Sequence, residues 1–123
     1  GIYISTPQTQ QSVALGGDIA YQLLVRNSGD ENDKFTIEPS DTSDDWVVSP
    51  QTWTSNTLSP GGEQSVTFTV SAADSSEMVG KNTIVVFTGR SENSVTPVNF
   101  DLATTTTVGA AFVVGLGTVS PFI

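Results

Sequence analysis

The sequence predicts an all-β sandwich of about seven short antiparallel strands. Apolar and polar residues alternate with period two along several segments, and turn formers (Gly, Pro, Asn, Asp) break the chain roughly every ten residues. Helical periodicity is nearly absent. At 123 residues the chain suits a single domain with one core.

The first strand is expected within residues 2–4 or 13–15. Next, Ile19, Tyr21, Leu23 and Val25 alternate with Ala20, Gln22, Leu24 and Arg26, a half-buried strand that stops at Asn27-Ser28-Gly29-Asp30. Phe35 and Ile37 form a short strand before Pro39, and Trp46 and Val48 another before Pro50. The turn Ser59-Pro60-Gly61-Gly62 leads into the cleanest alternation in the chain, Val66, Phe68 and Val70 against Ser65, Thr67 and Thr69. Ile84, Val85, Val86 and Phe87 run without alternation, as in a central strand covered on both faces. Val98, Phe100 and Leu102 then alternate with Asn99, Asp101 and Ala103. The core expected from these sets is Tyr21, Leu23, Val25, Phe35, Trp46, Phe68, Val70, Val86 and Phe100. The strand number is that of an immunoglobulin-like sandwich.

Four spacings sharpen this reading: Asn27 with Gly29, Asp33 with Phe35, Trp46 with Val47, and Pro60 with Gly61. In that order, over about residues 16–102, they resemble the immunoglobulin-like repeats of archaeal and bacterial cell-surface proteins of the cell-adhesion-related group. The resemblance implies the fold and a core position for Trp46. It implies no single activity, because that family has none and a fold does not determine a function.

Charge and composition exclude several classes. Thirteen acids against four bases give a net charge of −9, which disfavours nucleic acid and anionic membrane surfaces, since both are held by Lys and Arg. With no Cys and no His, disulfides, thiolate metal sites and the commonest general base are missing, so no enzyme is expected. The 15 Ser and 17 Thr with so few bases point to an extracellular or cell-surface location. Residues 1–7 hold no signal-peptide pattern, so Gly1 is expected to be a processed end if the chain is secreted.

The tail is unusual. No charge follows Asp101 for 22 residues, and four threonines lead into it. Val108, Ala110, Phe112, Val114 and Leu116 share one side of an extended chain, with Gly109, Ala111, Val113, Gly115 and Gly117 on the other. The sandwich is therefore assigned residues 1–107 and the tail 108–123. Three readings are open: a last strand of this domain, a membrane anchor, or a strand donated to a neighbouring subunit. Sixteen residues with scattered Gly and Pro are short for a spanning helix, so no membrane span is expected. A donated strand makes head-to-tail contacts that extend into a filament. Ile2, Tyr3 and Ile4 are the alternative donor. If the tail donates, removing residues 108–123 is expected to leave a poorly folded subunit with an empty acceptor groove.

Seven of the thirteen acids fall between Asp30 and Asp45. Asp30, Glu31 and Asp33 in one loop and Asp41, Asp44 and Asp45 in another are calcium candidates if the loops adjoin; otherwise they form a solvated rim. Calcium is thus the only cofactor to consider. Trp53, between Thr52 and Thr54, either stacks on sugar or packs over a sheet edge. No Asn-x-Ser/Thr sequon occurs, and Thr104, Thr105, Thr106 and Thr107 are candidates for O-linked sugar. Together these features predict a structural subunit of an extracellular filament or surface layer, a homopolymer built by donor-strand complementation. The alternative is an adhesive or carbohydrate-binding module of a larger surface protein.

Overall fold

A computed structural model describes residues 1–92 and 99–109. Among these residues nine strands form two sheets packed face to face. The first sheet holds β1 (Ile2–Ser5), β3 (Asp18–Asn27), β7 (Glu63–Ala72) and β5 (Trp46–Ser49), in that order. The second holds β2 (Gln10–Val13), β9 (Asn99–Val108), β8 (Asn82–Ser91), β4 (Phe35–Pro39) and β6 (Trp53–Thr54). All neighbours are antiparallel except β2, which runs parallel to β9. This is the immunoglobulin-like sandwich the alternations predict. Both candidate first strands exist, as β1 in one sheet and β2 in the other, so the chain crosses between sheets at its start.

Alternation sets the core. Tyr21, Leu23 and Val25 of β3 and Val66, Phe68 and Val70 of β7 point inward, registered as Tyr21 opposite Phe68 and Leu23 opposite Val66. Phe35, Ile37, Trp46 and Val48 join them, and Phe68 meets Phe87 of the facing sheet at 4.9 Å between ring centroids. Such a tilted aromatic pair adds to the burial that drives the two sheets together.

Two core expectations are corrected in the second sheet. Val85 and Phe87, not Val86, are the inward residues of β8, and Ile84 is 60% exposed. The strand is central within its sheet, but nothing covers its outer face among the described residues, so an unbroken apolar run does not signal two buried faces here. Phe100 is half-buried and packs at the margin of the core. Val98 lies outside the described residues. The inward row of β9 continues through Thr104 and Thr106 to Val108, all buried.

Close approach between the sheets depends on Gly89 of β8. A Cβ there would stand 2.6 Å from Cδ1 of Ile2 and 2.7 Å from Cδ1 of Ile4. The missing side chain lets both β1 isoleucines seat against the opposite sheet.

Candidate functional site

Asn27, Asp33 and Gly61, three of the residues that carry the resemblance, do structural work at one end of the sandwich. Asn27, at the end of β3 and buried, donates from Nδ2 to the carbonyls of Glu31 (2.8 Å) and Leu58 (2.9 Å), and its Oδ1 accepts from the Gly29 amide (2.9 Å). Its backbone bonds to the turn before β7, where Gly61 sits at φ +78°, a left-handed conformation that favours glycine. Asp33 is buried as well. Its backbone exchanges both hydrogen bonds with Leu58, while its carboxylate accepts from the Lys34 amide and from the Ser91 hydroxyl. Ser55 accepts from the Phe35 amide (3.0 Å) and donates to the Asn56 carbonyl (2.7 Å). These side chains satisfy buried backbone groups that loops would otherwise strand, so the motif specifies a corner of the fold rather than a ligand pocket.

The calcium candidates are not brought together. Asp30, Glu31 and Asp33 precede β4 and Asp41, Asp44 and Asp45 follow it, so the two loops lie a strand's length apart, at opposite ends of β4. Asp33 is engaged in the corner just described, and the other five are exposed. Among the described residues no three acidic side chains converge in a way that could hold a metal ion.

The interface candidates divide three ways. Ile2 and Ile4 are buried in this chain's own core, with β1 paired antiparallel to β3, whereas Tyr3 is 51% exposed. Val108 is not the start of a tail. It ends β9, opposite Val13 in the parallel pair with β2, and is buried, so the sandwich extends through residue 108; Gly109 adds one more bond, its amide donating to the Val13 carbonyl at 2.9 Å. Ala110, Phe112, Val114 and Leu116 lie outside the described residues.

The threonine run lies within β9. Thr104 and Thr106 face the core, out of reach of a glycosyl group, and Thr105 and Thr107 are half-buried on the outer face. The Tyr21 hydroxyl crosses from the first sheet to donate to the Thr105 carbonyl (3.0 Å), which leaves the Thr106 hydroxyl, 2.8 Å away, to donate to it in turn. Thr104 Oγ1, by contrast, is buried without a hydrogen-bond partner among the described residues. Trp53 is half-buried on the edge strand β6, opposite Ile37 and packed on the core, the sheet-edge alternative of the two expected.

Of the surface grooves among the described residues, two border large exposed side chains of the first sheet. One, of about 480 Å³, runs beside β5, the edge of the first sheet, and is lined by Glu38, Ser40, Asp41, Thr42, Val47 and Gln51. Val47 there is 58% exposed. The other, of about 380 Å³, lies on the outer face of the first sheet among Tyr3, Ser5, Leu24, Arg26, Ser28 and Glu63. Arg26 and Glu63 are 3.7 Å apart, and Arg90 and Glu38 are 3.8 Å apart elsewhere. Both pairs are half-exposed, where ion pairs add little stability. Among the described residues no helix is long and apolar enough to cross a membrane.

No protein-family model matches the sequence, and no curated protein does. Solved structures do resemble it. The E. coli chaperone DraB is 10% identical, with a TM-score of 0.48 over 87% of this chain and 54% of that one. The YadV chaperone is 13% identical, with a TM-score of 0.48 over 89% and 51%. A chain from a chaperone–tip adhesin complex of CFA/I fimbriae biogenesis is 10% identical, with a TM-score of 0.50 over 88% and 56%. The chain therefore spans about half the length of each. Identities this low carry the fold alone, a β-sandwich of the immunoglobulin-like type.

Proposed function

We propose that this protein is a non-enzymatic structural subunit of an extracellular filament or surface layer, in which residues 110–116 of one copy add as a strand to another copy. The observation that supports this reading most is the presence of β9 in its own sheet, ending at the buried Val108. The described sandwich already holds its last strand, and on this reading the charge-free large-and-small run that follows is free to serve a second copy. The acceptor we favour is the outer edge of β5 with the groove beside it. Glu38 and Asp41 line that groove, and in a chain of net charge −9 the uncharged tail approaches them without like-charge repulsion. The Trp46 amide and carbonyl are already bonded to Ser43 and Thr42, so main-chain bonds beyond Trp46 would hold the strand, and its large side chains would lie over Val47. A pilus-related setting, on the outside of the cell envelope, is part of this proposal and accords with the sandwich shape shared with the chaperone–adhesin chain.

Because β9 closes the sheet within its own chain, a 1–109 truncation is expected to fold, unlike the subunit stripped of Val108. Light scattering and negative-stain microscopy test the proposal. The full chain should form head-to-tail oligomers or fibres, residues 1–109 should remain folded monomers, and V47K in the full chain should block growth without lowering its unfolding midpoint, as an edge charge does. A full chain that stays monomeric at high concentration, or a truncation that still polymerises, overturns it.

A further inference from the structure

The groove on the outer face of the first sheet has an ordered floor. Tyr3 of β1 pairs with Arg26 of β3, and Arg26 pairs with Glu63 of β7, so a phenol, a guanidinium and a carboxylate form one row across three adjacent strands. Neighbouring strands stand about 4.8 Å apart, so the row spans roughly 10 Å, the scale of one or two sugar rings. Phe100 holds the Tyr3 ring edge-on, with centroids 5.1 Å apart and planes at 69°, which fixes it as a wall of the groove although it is 51% exposed. Leu24 adds apolar floor, and Ser5 and Ser28 add hydroxyls at the rim.

We propose that this row binds a neutral saccharide, with the C–H face of one pyranose on the Tyr3 ring and its hydroxyls bonded to Arg26 and Glu63. The ligand class follows from the charges. Arg26 and Glu63 sum to zero and together offer donors and acceptors, which vicinal hydroxyls match because each can both give and take a hydrogen bond. An anion meets the Glu63 carboxylate and the net charge of −9; a cation is drawn instead to the denser acids flanking β4. A purely apolar ligand would bury an ion pair and return nothing to it. An added peptide strand is unsuited to this surface, since β1, β3 and β7 already bond to one another and the groove lies on their face, not at an edge. The site is independent of residues 110–116 and of the polymer proposed above.

The test is titration of the full chain with methyl α-mannoside, methyl β-galactoside, methyl β-glucoside and N-acetylglucosamine, followed by saturation-transfer NMR and by the Tyr3 ring resonances. At least one sugar should saturate in the millimolar range, Tyr3→Ala should weaken it by about tenfold, Tyr3→Phe should leave it within about threefold, and Glu63→Gln should fall between. Tyr3 and Glu63 are both exposed, so unchanged unfolding midpoints will separate lost binding from lost fold. Absence of binding by all four sugars up to about 50 mM, weaker than any useful hydroxyl recognition, overturns the assignment. So does binding that survives Tyr3→Ala or that is lost only in Trp53→Phe.

Discussion

The inward rows of β7 and β9 are built from different materials. After a half-buried Gln64, β7 presents only apolar residues, Val66, Phe68, Val70 and Ala72, whereas β9 presents Phe100, Leu102, Thr104, Thr106 and Val108, with two hydroxyls in the middle of the row. Both strands are ten residues long and interior to their sheets. The first is held by shape and burial. The second relies on a hydroxyl relay from Tyr21 and leaves Thr104 Oγ1 unpaired. A β-branched residue keeps its strand preference whether its tip is a methyl or a hydroxyl. A polar strand can therefore complete a sandwich, at some loss of stability, provided its neighbours are firm.

Mutations can break or sharpen that contrast. Phe68→Ala, which removes the β7 partner of Phe87, should cost about 3–5 kcal/mol in urea unfolding. Asn27→Ala should cost about 2–3 kcal/mol, because it removes the donor to the Glu31 carbonyl and the acceptor of the Gly29 amide, and leaves the Leu58 carbonyl with the Asp33 amide alone. Gly89→Ala should cost about 1–2 kcal/mol, since the new methyl displaces only the tips of Ile2 and Ile4; a double-mutant cycle with Ile2→Val should show the two sites coupled. Smallest, and opposite in sign, Thr104→Val should stabilise by about 1 kcal/mol by removing an unpaired buried hydroxyl without changing side-chain shape. A destabilised Thr104→Val variant would mean that this hydroxyl has a partner, such as a buried water, and that β9 is less compromised than its row suggests.

The first sheet was the more legible of the two because hydropathy reports alternation only when the two faces differ. In β3 and β7 they do, and Tyr21, Leu23, Phe68 and Val70 could be assigned inward directly. In β8 the run from Ile84 to Phe87 contains large apolar residues on both faces, so parity was set by the pairing of Val85 with Thr104 and Phe87 with Leu102, which lies far away in sequence. In β9 four threonines hide the alternation, so the sequence ends the strand near Ala103 and the sandwich at residue 107, whereas β9 runs through the threonines to Val108. The corner residues were visible as spacings, Asn27 with Gly29 and Asp33 with Phe35, but their hydrogen bonds run to Leu58 and Ser91, which no local pattern links to them. The row of Tyr3, Arg26 and Glu63 was illegible for the same reason, as it exists only once three strands are in register.

The parallel pairing of β2 with β9 also bears on how the molecule carries load. Gln10 to Val13 lie beside Thr105 to Val108, both strands running the same way. Tension applied before β2 and after β9 therefore pulls the two strands along their common axis in opposite directions. The bonds of this patch, from the Thr105 amide to the Thr9 carbonyl at one end to the Gly109 amide and the Val13 carbonyl at the other, are strained together in shear rather than peeled one by one. A module strung between neighbours would first meet N-terminal tension at the pairing of β1 with β3, and the β2·β9 seam would then bear the load in shear.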